Sequence, residues 1–194
     1  MLLKLTLMLI LFAQNSSVKK IQFQILPNSQ LRISGTSNVT DFTCICEEYF
    51  PKLVAEIQYE EKKVRFNNTS LRIATRKLQC GNKLMNEDMY EALKADEYSD
   101  IVIELYEVTP IFEQHLTNEW LTMKASACFT IAGVNKEETF WLKALRESAN
   151  QYRFFGRKAL CLNDYHIKMP RPMMGLIKID NNITLHLDLK INQL

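Results

Sequence analysis

Glycine, proline and histidine are all scarce in this sequence. Its 194 residues include five glycines, five prolines and three histidines. So little glycine and proline argues against a disordered or low-complexity chain. The histidines, His115, His166 and His186, are too dispersed to indicate a metal-binding trio or a Ser-His-Asp triad. The sequence therefore predicts an ordered protein that is not an enzyme.

An excess of charge of one sign is also absent. The 24 Lys and Arg residues and 22 Asp and Glu residues leave a formal net charge of +2. That balance excludes the strongly basic surface typical of nucleic-acid binding. Asp41, Asp164 and Asp180 are isolated, and we interpret them as turn or cap residues rather than paired general acids.

No apolar run is long enough to span a membrane as a helix, which takes about 20 residues. The longest one, at residues 5–13, is interrupted only by Thr6, follows a short cationic start and ends at a polar stretch. This arrangement is typical of a signal peptide. We therefore predict a signal peptide at residues 1–17 and a mature domain at 18–194, exported to the periplasm or secreted.

Apolar and polar residues alternate through most of the mature chain. The last such stretch has apolar side chains at every second position: Ile183, Leu185, Leu187, Leu189 and Ile191. Turn signals such as Thr109-Pro110 and Ala132-Gly133 separate the stretches. The pattern predicts an all-β, antiparallel protein, and a closed barrel and an open sandwich fit it equally well.

One segment carries helical signals instead. Asn86 is a candidate N-cap, with Glu87 and Asp88 in the first turn. Met89 and Leu93, four residues apart, would face inward. We predict one short helix near residues 86–95.

Five segments carry a resemblance to a known family. They are LRISGTSNVTDFTC at 31–44, LQCGNKLMN at 78–86, LKADEY at 93–98 with IVI at 101–103, FTIAGVNK at 129–136, and NDYHIKMP at 163–170 with GLIK at 175–178. In their order and spacing they resemble the YceI-like family of secreted, lipocalin-like β-barrels that bind isoprenoid lipids. The resemblance spans about residues 21–191. Ser99 and Tyr165 depart from it, because the family more often has Pro and Phe there.

The resemblance implies an antiparallel, lipocalin-like barrel of about eight strands. It also implies that an isoprenoid or other apolar lipid binds inside, and that the protein is a carrier or buffer without catalysis or cofactor. The alternative is a non-enzymatic structural or interaction barrel with a filled core. A cavity of several hundred Å³ would favour ligand binding over that alternative.

The interior face of such a barrel is both its core and the wall of any cavity. Two stretches supply apolar residues of one phase that we expect to line the lipid site: Ile101, Ile103, Leu105, Met123, Ala125, Ala127 and Phe129. The two alanines would widen the interior. If Ala125 lines a cavity, Ala125→Phe should displace lipid and leave the stability nearly unchanged.

Five cysteines follow the N-terminal apolar run. In an oxidising compartment we expect a disulfide between Cys44 and Cys80, with Cys46 as the second choice of partner. The Cys44-x-Cys46 pair with a third thiolate could instead bind a soft metal. The four-ligand spacing of a zinc site is missing, so we predict no metal. Cys128 and Cys161 could pair across strands or remain outward thiols.

Overall fold

The computed structural model describes residues 18–111 and 119–194. The predicted signal peptide and His115 lie outside the described residues. Twelve antiparallel strands are present in the described part: β1 Val18–Ile25, β2 Gln30–Ser37, β3 Asp41–Cys46, β4 Lys52–Tyr59, β5 Val64–Asn67, β6 Ser70–Ala74, β7 Leu78–Gln79, β8 Asp100–Pro110, β9 Leu121–Ile131, β10 Val134–Arg146, β11 Gln151–Cys161 and β12 Ile179–Gln193. One helix, α1, runs over Lys83–Ala92, and short helical turns occupy Thr75–Lys77, Leu162–Tyr165 and Pro172–Gly175.

Eight of the strands close into a ring. Each of β1, β4, β5, β8, β9, β10, β11 and β12 pairs with the next, and β12 pairs with β1, where Ile25 lies opposite Ile191. Closure leaves no exposed sheet edge along this ring. The predicted barrel of about eight strands is therefore confirmed, and the open sandwich is rejected.

The two ends of the barrel differ in their strand pairing, because the first and last parts of β8, and likewise of β12, pair with different strands. The end of β12 pairs with β1, whereas its first two-thirds pair with β2, with Leu185 opposite Ile33. The start of β8 pairs with β6 and its later part with β5. Beyond β2 the sheet continues through β3 to β7. We call the end at which β8 and β12 begin the upper end of the barrel.

Strict alternation places the core inside. In β9 every second side chain is buried, from Leu121 to Ile131. The turn from β9 to β10 consists of Ala132 and Gly133 with φ angles of 48° and 79°, the left-handed pair that a two-residue hairpin requires. The Tyr98 ring lies over Gly133, where a Cβ would overlap it. This hairpin fixes the register between β9 and β10 at the upper end.

The helix begins earlier than predicted. Its N-cap is Asn82, whose side-chain oxygen accepts the Met85 N–H at 2.9 Å. The prediction that Asn86 caps the helix is wrong. The Asn86 side chain instead accepts the Cys80 N–H at 2.7 Å and donates to Gln79. Asn86 thus ties the first turn of α1 to β7, and the cap falls four residues before it.

Candidate ligand-binding cavity

The upper half of the barrel is hollow. A cavity of about 370 Å³ opens at the upper end, within the size range of small-molecule sites. Its strand-borne wall is apolar: Leu31, Ile33, Phe42, Ile73, Ile101, Ile103, Phe129, Ile131, Leu160, Ile183 and Leu185. The polar side chains that reach it come from the end of β2, from the turn that follows and from the α1 region: Ser37, Thr40, Asn82 and Asp88.

Phe129 forms the floor. Its ring meets that of Phe140 edge to face, with the ring centroids 6.0 Å apart. Along β9, Ile131 and Phe129 line the cavity, whereas Ala127, Ala125 and the residues that precede them do not. Below the floor the interior is filled with buried apolar side chains.

The structure divides the seven predicted lining residues between the two halves. Ile101, Ile103 and Phe129 line the cavity, and their contact with a lipid stays a prediction. The other four lie outside its wall, in or against the packed core: Leu105, Met123, Ala125 and Ala127. Ala125 is fully buried and lies opposite Val108 and Phe140 on the neighbouring strands. The alanines therefore do not widen the cavity. In this packed environment Ala125→Phe should destabilise the protein rather than leave its stability unchanged.

Methionines outside the strands complete the wall. Met85 and Met89 reach it from α1, and Met169 and Met173 from the segment between β11 and β12. A flexible, polarisable thioether adapts to ligands of irregular shape. The helical spacing of four predicted that Met89 faces inward, whereas strand alternation could not identify any of the four, because none of them lies in a strand. The clustering of methionine at 85–89 and 169–174 was the available signal.

Three segments surround the opening, and we call them together the rim: residues 37–40, 82–85 and 168–178. Asn38 joins two of them. Its side chain donates to the Leu176 carbonyl at 3.0 Å and accepts the Lys178 N–H at 2.7 Å. The third segment leads from Asn82 into α1 and reaches the same cavity through Leu84 and Met85.

The rim contains an unusual backbone. Met173 and Met174 have φ angles of 51° and 56°, and Gly175 follows at 87°. Left-handed geometry costs a residue with a side chain roughly 1–2 kcal/mol. In this conformation Met174 is 97% exposed, and Met173 is both exposed and part of the cavity wall.

The predicted disulfide between Cys44 and Cys80 is confirmed. It joins β3 to the residues that lead into α1, and both half-cystines are buried in the cavity wall. The bridge consumes Cys44, one of the two named thiolates on which the metal alternative depended. Cys128 and Cys161 are both free, so they do not pair across strands.

Cys46 is free and lies two residues from the bridge. Burial, with the nearby charge of Glu48, raises the pKa of its thiol to about 11. Because the thiolate is the species that attacks a disulfide, this shift protects the bridge from exchange. At pH 8 a thiol with that pKa is roughly 0.1% ionised.

We therefore expect Cys46 to be alkylated very slowly in the folded protein. The rate should rise about tenfold per pH unit between pH 8 and pH 10, because the thiolate fraction rises by that factor. Iodoacetamide labelling followed by peptide mass spectrometry measures it, with the unfolded, unreduced protein as control. Rapid labelling of Cys46 at pH 8 would contradict the assignment.

The polar side chains of β12 lie on the outer face of the barrel. His186 lies 2.8 Å from the Ser34 hydroxyl. Burial and the charges of Arg32 and Arg157 lower its pKa, which favours the neutral imidazole. Asp188 forms a two-bond ion pair with Arg153, which lowers the pKa of the carboxyl group. These groups stabilise the outer surface and do not face the cavity.

We compared the chain with known protein families, curated proteins and solved structures. The model of the YceI-like domain family matches residues 15–191. None of the curated proteins compared matches the chain at a significant level. Within residues 18–111 and 119–194, no helix combines the length and apolar character needed to cross a bilayer.

Two solved structures share the fold. A polyisoprenoid binding domain from Saccharophagus degradans, implicated in plant cell wall breakdown, aligns with a TM-score of 0.65 at 15% identity, over 88% of this chain and 97% of that one. BcnA from Burkholderia cenocepacia aligns with a TM-score of 0.63 at 10% identity, over 84% and 95%. At these identities the likeness shows the fold alone.

The match to the family begins before β1 and ends at Ile191, two residues before the end of β12. The fold is one that supports the binding of an apolar ligand. The chain belongs to the YceI-like domain family.

Proposed function

We propose that this protein binds an isoprenoid lipid, or a comparable apolar chain, in the cavity and carries or buffers it without catalysis. The observation that carries this proposal is the cavity of about 370 Å³, whose deep wall is apolar and whose polar side chains lie on the rim or next to it. A ligand with an apolar tail and a polar head would match that gradient. The Saccharophagus degradans neighbour, described as polyisoprenoid binding, supports the choice of ligand class.

The energetics favour a chain of several isoprene units. Burying a CH₂ group is worth about 0.8 kcal/mol, so a five-carbon unit contributes about 4 kcal/mol. Association costs roughly 4–15 kcal/mol in lost freedom of motion. Three or more buried units are therefore needed for tight binding, and shorter chains should bind weakly.

We also propose that the protein is exported to the periplasm or secreted. The apolar run at residues 5–13 supports export with removal of residues 1–17. The Cys44–Cys80 disulfide supports an oxidising compartment, which means the periplasm or the exterior. A carrier in the cell envelope would meet apolar chains there.

The test is native mass spectrometry of the protein purified from its own cell envelope. We expect a mass increment that disappears on organic extraction and returns when the stripped protein is mixed with polyprenols. The same spectrum gives the N-terminus. A protein that carries no lipid and takes up no polyprenol of any length would reject the binding proposal. Cytosolic protein that still begins at Met1 would reject the export proposal.

A further inference from the structure

The rim exposes apolar side chains to solvent. Val39, Leu84 and Met173 are each at least 67% exposed, although all three also line the cavity. Met174 and Leu176, in the same segment as Met173, are 97% and 72% exposed. Five of the six most exposed large hydrophobic side chains in the described part of the chain thus lie on the rim. Apolar residues gathered in this way mark an interaction surface, whereas singly scattered ones do not.

The charges of the rim all have one sign. Its three segments contain Lys83, Lys168, Arg171 and Lys178 and no acidic residue. All four cations are exposed, and none makes an ion pair with another residue of the described chain. Asp41 and Asp180 flank the rim, and Asp88 lies in the cavity wall one helical turn beyond the 82–85 segment. The Asp180 carboxylate accepts the N–H of Asn182 at 2.8 Å. The rim is therefore an apolar surface interspersed with free cations.

We propose that the rim docks on an anionic phospholipid surface. The exposed apolar side chains enter the interface between head groups and acyl chains, and the four cations contact the phosphates. Apolar side chains beside Lys and Arg are the combination by which proteins bind anionic membranes from one side. Because Val39, Leu84 and Met173 are continuous with the cavity wall, a docked barrel offers an apolar chain a path that avoids water. The role of docking in lipid transfer rests on the proposed function. Docking itself is measured by vesicle binding, separately from lipid binding.

The rim is held in shape before it docks. Asn38 fixes the turn at 37–40 to Leu176 and Lys178. Met173 and Met174 adopt left-handed conformations, and both side chains are exposed. Little conformational freedom is lost on docking, which favours a surface of this small size.

Vesicle flotation tests the proposal. Wild-type protein is mixed with phosphatidylcholine vesicles, with or without phosphatidylglycerol, at low and high salt. We expect binding only to the vesicles that contain phosphatidylglycerol, and weaker binding at high salt because screening shortens the range of the charges. Arg171→Glu with Lys178→Glu, and separately Met174→Ser with Leu176→Ser, should each weaken binding by roughly tenfold or more.

The matched control is Tyr59→Ser with Lys62→Glu. These residues are exposed in the same way but lie at the turn between β4 and β5, at the opposite end of the barrel. This variant should bind like wild type. All variants share one N-terminus, so any contribution of residues 1–17 cancels in the comparison.

Polyprenol uptake without vesicles separates the docking from the proposed function. None of the four substituted rim residues lines the cavity, so uptake should be unchanged in both rim variants. If wild type takes up polyprenol but binds no vesicle, docking is overturned, the carrier stands, and a protein becomes the candidate partner of the rim. Equal binding to both vesicle types, or rim variants that bind like wild type, would also overturn docking. Vesicle binding that depends on the rim, without polyprenol uptake, would support docking and reject the carrier.

Discussion

Removal of the Cys44–Cys80 bridge should lower the free energy of unfolding by about 3–4 kcal/mol. The two cysteines are 36 residues apart, and the entropy of closing a loop of that length in the unfolded chain gives about 3.8 kcal/mol. The loop contains all of β4, β5, β6 and β7, and the bridge holds the segment that leads into α1 against β3. Urea unfolding of Cys44→Ala with Cys80→Ala measures the loss.

Both cysteines are replaced together because a single substitution would leave Cys80 or Cys44 beside the free thiol of Cys46. Wild-type protein under a reducing agent should lose the same stability as the double variant. Cys128→Ala is the matched control, since this thiol forms no disulfide and is half-buried, and it should change the stability by no more than about 1 kcal/mol. A loss below about 1 kcal/mol in the double variant would show that the bridge does not stabilise the barrel.

The strands, the disulfide and the presence of one short helix could all be predicted from the sequence. Alternation fixes which side chains of β9 and β12 point inward, because the side-chain period of a strand is two. Closure into a ring does not follow from alternation. The resemblance to the family supplied it, since an open sandwich has the same periodicity.

The position of the cavity could not be predicted, because periodicity gives the direction of a side chain and not its depth. Ile131 and Ala125 lie on the same face of β9, yet one lines the cavity and the other is in the packed core. What decides the difference is the side chain opposite. Phe140 fills the space beside Ala125 and supports Phe129 from below. Such complementarity joins residues from different strands and leaves no local pattern.

The rim was missed for a related reason. Its residues lie in turns and at the start of a helix, where no period marks an inward face. The N-cap is an example, since Asn82 and Asn86 are both suitable residue types. The contact of Asn86 with Cys80 and Gln79 decides between them.

The difference between Ile131 and Ala125 leads to the prediction with the largest effect on binding. Ile131→Trp places an indole in the hollow half, where it occupies about the space of one five-carbon unit. Loss of that unit should cost about 4 kcal/mol of binding, or roughly a thousandfold in affinity for a polyprenol. The free energy of unfolding of the ligand-free protein should change little, because the ring enters empty space. Polyprenol titration and urea unfolding measure the two quantities.

Ala125→Phe is the matched control on the same face of the same strand. Its ring must enter the filled half beside Val108 and Phe140, so overpacking should destabilise the ligand-free protein by roughly 1–3 kcal/mol. Polyprenol affinity should stay close to wild type, since the floor at Phe129 separates this site from the cavity. The two variants should therefore show opposite effects, one on binding and the other on stability. If Ile131→Trp binds polyprenol as tightly as wild type, the upper cavity is not the lipid site. If Ala125→Phe loses the lipid and keeps its stability, the ligand reaches below Phe129 and the filled half is open to it.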